Sequence, residues 1–414
     1  MKTYSLVIIG GGSAGMEAAL SAKENGIEDI VILEREHKLG GILNQCIHNG
    51  FGLQIFKEEL SGPEYAQRFS DKVEQAGIEV KLNTHVIEVN KQKQITYVSE
   101  NEGYTSIQAK AIIFALGCYE RSAGAIALPG DRPYGIFTAG CAQKYINQHN
   151  IMVGKKVFIL GSGDIGLIMA RRMSLEGAQV LGVGEREPYS NGLMRNIVQC
   201  LDDYNIPLYT SHTVTSIKGK DHLESITISA LDEQYQPIHG SEKTFEVDTL
   251  LLSVGLIPET TLMNQLQLTI DSATHSLKVN EQLEASMEGI FACGNALHVH
   301  DLVDYVTLEA KRAGRNASDY IKGKKRKNTQ IETKAGNGIG YVLPQRIEHI
   351  EEAITMSLRV KRPFKKCSIV ISLDGEIIKT IQKPYLLPAE MIMFPITLAK
   401  SGKQCTFEIK EEQL

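Results

Sequence analysis

No two of the seven cysteines, Cys46, Cys118, Cys141, Cys200, Cys293, Cys367 and Cys405, stand in a C-x-x-C pair. Their scatter argues against an iron–sulfur cluster, a zinc site or a local dithiol, and fits free thiols in a reducing compartment. An excess of positive charge is also missing. The net charge of −5 gives no basic face for nucleic acid. Apolar runs are short: "TLLLSVGLIP" falls well below the roughly 20 residues of a membrane helix. The opening "MKTYSLVIIGGGSAG" lacks a signal-peptide cleavage site and reads as a strand entering a turn. A cytoplasmic protein without a membrane span is expected.

What is present is one device, twice. "YSLVIIGGGSAGMEAALSAKENGIEDIVILERE" gives a buried strand Leu6 to Ile9, then Gly10-x-Gly12-x-x-Gly15, then a helix with Ala18, Ala19 and Ala22 as packing residues. A second strand, Ile30 to Leu33, ends at Glu34. Gly10 permits the tight turn, Gly12 lets backbone approach a pyrophosphate, and Gly15 lets helix pack on strand. Free N–H groups at the helix start suit phosphate, and Glu34 suits ribose hydroxyls. "KKVFILGSGDIGLIMARRMSLEGAQVLGVGERE" repeats this with strand Val157 to Leu160, Gly161-x-Gly163-x-x-Gly166 and Glu185. In both copies the acid lies 24 residues after the first glycine. Two dinucleotides are therefore expected. Glu185 favours NAD over NADP, although Arg186 beside it could take a 2′-phosphate.

Three further segments bear on the assignment: "AKAIIFALGCYERS", "MEGIFACGNALHVHDLVDYVTLEAKRAGRNASDYI" and "NTHVIEV". With them, residues 1–322 resemble the pyridine nucleotide–disulfide oxidoreductase superfamily, flavoproteins with two dinucleotide-binding domains. The resemblance implies an α/β fold of two Rossmann-like domains, the NAD domain inserted in the FAD domain. FAD would be held non-covalently by Gly10, Gly12, Ser13, Ala14, Gly15 and Glu34, with Arg35, Gly41 and the backbone of Val86 near it. Ala115 and Gly117 match the family's Ala-Thr-Gly turn, with Leu116 in place of Thr. Gly294 and Asn295 match its Gly-Asp turn, where Asn295 has lost the charge. NAD(H) would be held by Gly161, Gly163, Asp164, Ile165, Gly166, Glu185 and Gly255. A helix over about Leu302 to Tyr320 would aim its N-terminus at a reduced flavin's negative charge.

The redox disulfide of that superfamily is missing at both of its usual places. In "LGGILNQCIHNGFG" only Cys46 appears, and five residues either way stand Gly41 and Phe51. In "PYGIFTAGCAQKYI", Cys141 is preceded at three residues by Thr138. Dithiol exchange needs an attacking and a resolving sulfur, so a disulfide reductase is not expected. "GIFTAGCAQ", "YERSAGAIALPGDRP" and "GGIL" resemble the FAD/NAD-binding subunits of hydrogen cyanide synthase and opine dehydrogenase complexes. "GGILNQCIHNGFG" and "HVHDLVDYV" resemble bacterial oxidoreductases that accompany a glycerol-3-phosphate-dehydrogenase-like flavoprotein. Both likenesses imply electron transfer between NAD(H), FAD and a partner dehydrogenase, acceptor protein or small acceptor, within a homo- or hetero-oligomer. Competing readings are a flavin dehydrogenase acting directly on an amine, opine or hydroxy acid, and a non-catalytic redox scaffold.

The polar candidates beside the flavin are Cys46, His48, His298, His300, Asp301 and Asp304. A histidine titrating near neutrality suits proton handling. The plainer role is to fix loops by hydrogen bonds. His298-x-His300 has no third ligand at useful spacing, so no metal is expected. Asp301 is expected to cap the helix that follows.

"KGKKRKNTQ", Lys322 to Gln330, reads as a helix end running into a solvated linker, with partner docking as the alternative. Beyond it come short alternating segments, with Asp374-Gly375 as a hairpin signal. An all-β, sandwich-like domain is expected, packed on the flavin domain or another subunit. The expected boundaries are 1–122 and 253–325 for the FAD domain, 123–252 for the NAD(P) domain and 331–414 for the β domain.

Overall fold

The computed structural model describes residues 1–324 and 329–411. The middle of the basic run, 325–328, and the end of the β domain, 412–414, lie outside the described residues. The chain divides into two compact units: Met1–Asn44, Asn49–Cys118 and Pro258–Leu414 form one, and Gln45–His48 with Tyr119–Ile257 form the other.

The first unit is built on a seven-stranded sheet. Thr3–Ile9 lies between Ile30–Leu33 and Gly103–Phe114, parallel to both. All four residues of Ile30–Leu33 are buried, as a parallel strand covered on both faces requires. The helix Ser13–Glu24 lies against Val303–Ile321. Their approach is close: a Cβ on Gly314 would stand 2.2 Å from the Ala18 carbonyl oxygen. Ala18, Ala19 and Ala22 are fully buried, as their small size on this face implied. A third helix, Gly62–Gln75, starts from a capping box of Ser61 and Glu64 with Pro63 in its first turn.

The C-terminal strands fall within this same unit. They form a five-stranded sheet, Arg346–Ile347, Ile331–Ala335, Gln404–Glu411, Phe364–Leu373 and Glu376–Leu386, and a three-stranded one, Ile339–Leu343, Ile354–Val360 and Ile392–Ile396. Between the sheets Met356, Leu358, Ile369, Ile371 and Phe407 are buried in a core of their own. Asp374 and Gly375 have φ of 51° and 88°, the two left-handed positions of a type I′ turn. Leu373 and Glu376 face each other across it. The outermost strand, Glu376–Leu386, has 11 residues. A bulge leaves Ile378 unpaired in it, and Lys379, Lys383 and Pro384 lie along it. Hydrogen bonds tie these sheets to the preceding segment. Gln345 N–H donates to Val279 O (3.1 Å) and Val279 N–H to Gln345 Oε1 (3.0 Å). Glu348 N–H donates to Glu281 Oε2 (2.8 Å).

The second unit has a five-stranded parallel sheet ordered Ile136–Thr138, Thr249–Leu252, Lys156–Leu160, Gln179–Gly184 and Leu208–Tyr209. One apolar core lies around Ile159, Met169 and Leu251, another around Phe158, Leu160 and Leu250. A three-stranded antiparallel sheet, His212–Lys218, Ser225–Ala230 and Lys243–Glu246, joins the latter core. Gln45 belongs here because its Nε2 donates to Gly140 O (2.8 Å) and its carbonyl accepts from Asn147 Nδ2 (2.8 Å).

Candidate functional site

Each unit presents a glycine loop between a strand and a 12-residue helix whose N-cap glycine offers no capping side chain, which suits an anion at the helix start; in the second helix Gly166 N–H is already taken by Ser253 Oγ (3.0 Å). In the first unit Gly10 has φ +108°, and a Cβ there would lie 2.3 Å from Ala115 O. A Cβ on Gly15 would meet Gly10 O at 1.8 Å, whereas one on Gly12 would meet nothing within 4 Å. The loop is thus packed behind and open in front, as close approach of a pyrophosphate demands. Ser13 and Ala14 open the helix. Gly117 also faces open space. Gly40 N–H donates to Gly11 O (2.9 Å), which brings Gly41 beside Gly12.

Glu34 is buried and turned onto this loop. Gly11 N–H donates to its Oε2 (2.5 Å) and Glu36 N–H to its Oε1 (2.8 Å). Thr84 N–H donates to Glu34 O (2.9 Å), so the strand carrying buried Val86 runs beside the acid. Arg35 is exposed.

The second loop repeats this. A Cβ on Gly161 would stand 2.1 Å from Ser253 O, and one on Gly166 would stand 2.5 Å from Gly161 O. Gly163 and Ile165 are both half-buried. Ser162 N–H and Oγ–H both donate to Glu185 Oε2 (2.9 and 2.6 Å), and Glu187 N–H donates to Oε1 (3.0 Å). Asp164 accepts from Leu193 N–H (2.8 Å) and Asn196 Nδ2 (2.7 Å). Gly255 is exposed, and its carbonyl accepts from Arg121 N–H (3.0 Å). Arg186 lies over the Tyr235 ring (4.5 Å) and meets Glu187 at 3.4 Å.

The four candidate catalytic side chains fall into different units. Cys46 and His48 belong to the second, and His298 and His300 to the first. Cys46 approaches Gln143 Oε1 at 3.8 Å, and burial pushes its thiol up to about 12. That is the opposite of the depressed value a nucleophilic thiolate needs. Cys141 is exposed on the first turn of Ala139–His149, its thiol raised by burial and by Glu120. None of the seven cysteines is in a disulfide.

His298 and His300 lie with ring centroids 4.3 Å apart and share a third residue that spacing did not reveal. His298 Nε2 is 2.8 Å from Glu309 Oε2, and His300 Nε2 is 3.7 Å from Oε1. Glu309 is 1% exposed and also accepts from Gly294 N–H (2.8 Å). The expectation that no third ligand stands near His298-x-His300 is therefore overturned. The trio still disfavours a cation. Glu309 already faces the Arg312 guanidinium at 3.9 Å, so a divalent ion would bury uncompensated positive charge.

Burial lowers the His298 pKa to about 4 against the pull of Glu309, so the ring is neutral near neutrality. Despite burial, the Glu309 carboxyl is held well below the usual carboxylate range, the hydrogen bond donated by His298 Nε2 favouring its charged form. A neutral His298 donates from Nε2 to Glu309, which leaves Nδ1 to accept from Tyr341 Oη (3.0 Å). Asn295 Oδ1 accepts from His300 N–H (3.0 Å), and its Nδ2 points at Cys118 Sγ (3.6 Å).

Asp301 does not cap the following helix. That helix is Val303–Ile321, its N-cap is Leu302, and no side chain caps it. Asp301 Oδ1 is taken instead by Arg359 Nη2 (3.2 Å) and Met391 N–H (3.3 Å). Asp304, in the first turn, is buried and accepts from Ile55 N–H (3.2 Å). Two partners supplied by the β strands, Tyr341 and Arg359, had no signal beyond being polar residues in alternating segments. Glu309 had one: it stands in a buried stripe with Ala310, Ala313 and Ala317, while its neighbour Leu308 is exposed.

Residues 4–333 match the family described as pyridine nucleotide-disulphide oxidoreductase. Among curated proteins the chain is 26% identical over 287 residues to hydrogen cyanide synthase subunit HcnB of Pseudomonas protegens, covering 63% of this chain and 58% of that one. It is 25% identical over 312 residues to an NAD(P)H coenzyme A polysulfide/persulfide reductase of Pyrococcus horikoshii, covering 72% and 64%. The chain thus spans less than two thirds of the length of these relatives. In fold it is similar to T. acidophilum thioredoxin reductase, with a TM-score of 0.61 at 22% identity over 78% of this chain and 99% of that one. No described helix is long and apolar enough to cross a membrane.

Proposed function

The chain belongs to the pyridine nucleotide-disulphide oxidoreductase family, and on that premise we propose that it passes hydride between a nicotinamide nucleotide and FAD, then exchanges electrons with a partner protein or small acceptor. Bound FAD would supply the ring that takes up and releases hydride. The observation that carries this reading is the duplicated cradle, in which Glu34 and Glu185 make matching hydrogen bonds to their loops.

The first cradle would hold FAD. Gly12 and Gly117 leave room for it, and Glu34 suits ribose hydroxyls. Gly294 and Asn295, at the end of the strand Ile290–Ala292, would meet the ribityl side. The second cradle would hold NAD(H). Glu185 is bonded into its loop, while Arg186 is engaged with Tyr235 and Glu187; this favours a free 2′-hydroxyl over a 2′-phosphate.

An internal disulfide takes no part in this reading. Thr138 stands where a partner of Cys141 would, and the Cys46 thiol is held protonated. The electrons therefore leave to, or arrive from, another molecule, as fits a relative named as a synthase subunit. A cytoplasmic setting fits cysteines that form no disulfide. Anaerobic stopped-flow mixing with NADH and NADPH tests the proposal. Rapid bleaching of the flavin, faster with NADH, is expected. Bleaching only by a small amine, opine or hydroxy acid would replace this reading with that of a direct dehydrogenase.

A further inference from the structure

Tyr341 and Arg359 lie beyond residue 333, outside the family match, yet their side chains reach the turn assigned above to FAD. We infer that the C-terminal β strands complete the flavin site, with Tyr341 and Arg359 as positioning residues for the Gly294–Asp301 segment. This rests on the proposal that FAD binds at Gly294 and Asn295.

The chain of contacts is continuous. Gly294 N–H is held by Glu309 Oε1, Glu309 Oε2 by His298 Nε2–H, and His298 Nδ1 by the Tyr341 hydroxyl. Arg359 donates to Val299 O and Asp301 Oδ1 (both 3.2 Å), and also to Pro388 O (2.9 Å) and Ala389 O (2.5 Å). It also donates to the Tyr341 hydroxyl. The guanidinium therefore fastens the His298–Asp301 loop to the β strands. The loop side of this chain is buried, with the His298, His300 and Glu309 side chains 1% exposed and Asp301 7%, while Tyr341 and Arg359 are half-buried.

In a dry site each lost partner leaves a group unsatisfied, so the loop has one favoured arrangement. Without the Tyr341 hydroxyl, His298 can shift its proton to Nδ1. Nε2 would then present a lone pair to the Glu309 carboxylate. Glu309, which accepts from Gly294 N–H, then loses the donor that fixes its other oxygen. Without Arg359, Asp301 keeps a buried charge with no cation, and the loop can leave the β strands.

The test uses full-length, FAD-loaded protein and the variants Tyr341→Phe, Arg359→Met and Arg359→Met/Asp301→Asn. FAD dissociation constant, flavin midpoint potential and amide hydrogen exchange over 294–301 are measured for each. The single variants are expected to weaken FAD on the order of tenfold, to shift the potential and to speed exchange in 294–301. The double variant should recover most of what Arg359→Met loses. If one variant does not fold, Arg359→Lys takes its place, with the same expected direction and a smaller effect. Variants that lose thermal stability but keep FAD affinity, potential and exchange unchanged would overturn the inference. A wild-type protein that never takes up FAD would instead sink the functional reading. The exchange comparison in that apoprotein would still decide whether Tyr341 and Arg359 hold the loop.

Discussion

The first glycine loop has Gly11 where the second has Ser162, and the two are strapped by different chemistry. In the first, backbone does the work: Gly40 N–H donates to Gly11 O, and a Cβ on Gly11 would meet Leu39 Cδ2 at 2.5 Å and Glu34 Oε2 at 2.9 Å. In the second, side chains do it. Ser162 Oγ donates to Glu185 and accepts from Asn191 N–H (3.1 Å), and Asp164 clasps Leu193 and Asn196. One cradle should therefore be sensitive to added atoms and the other to lost polar groups. The same ligand chemistry is met by two strategies with opposite mutational weaknesses.

The strongest way to break the symmetry is at the shared first glycine. Gly10→Ala puts a methyl 2.3 Å from Ala115 O at φ +108°. It should yield colourless, poorly folded protein, judged by flavin absorbance. Gly161→Ala meets Ser253 O at 2.1 Å. It should keep the yellow colour and lose NADH binding by more than about 100-fold, since overpacking against backbone costs about 1–3 kcal/mol or more.

Next, Asp164→Ala frees Leu193 N–H and Asn196, and the Michaelis constant for NADH should rise roughly tenfold with FAD content unchanged. Ser162→Gly makes the second loop resemble the first. It removes a hydroxyl from Glu185 and Asn191, and should cost about 1 kcal/mol of NADH affinity by titration. A loss larger for Gly11→Ser in FAD binding than for Ser162→Gly in NADH binding would confirm the contrast. Equal losses would erase it.

The smallest effect concerns the helices. Glu17 occupies the position that Ile168 holds in the second copy. Burial raises its carboxyl to about 7. The folded chain keeps that proton up to about neutrality, while the unfolded chain sheds it near the ordinary carboxylate value of 4.5. Its contribution to stability is present at low pH and is lost as pH rises toward 7. Glu17→Gln should raise Tm by about 2–4 °C at roughly pH 8 and by little at roughly pH 5. An equal rise at both pH values would show that Glu17 does not titrate this way.

Both loops and both acids were legible because they are local. A strand, three glycines, a helix and an acid at 24 residues fix their own geometry. So was the Asp374-Gly375 hairpin, whose two left-handed residues need no outside support. Asp301 was misread as a helix cap because its real partners, Arg359 and the Met391 amide, come from sheets far along the chain. Glu309 was not singled out; it is buried while its neighbour Leu308 is exposed, which the residue types alone do not suggest. What the polar groups of the β strands reach was not legible, since alternation reports only a strand's own core. Tyr341 and Arg359 spend theirs on the His298–Asp301 loop.

The strand Glu376–Leu386 has another consequence. Eleven residues of open backbone on a sheet margin would normally invite neighbouring molecules to zip on, one after another. The displaced Ile378, two lysines whose charges repel their own copies, and a proline with no N–H to offer interrupt that template at several points. These features make the margin a poor template for edge-to-edge pairing, and straightening it by deleting Ile378 would remove one of them.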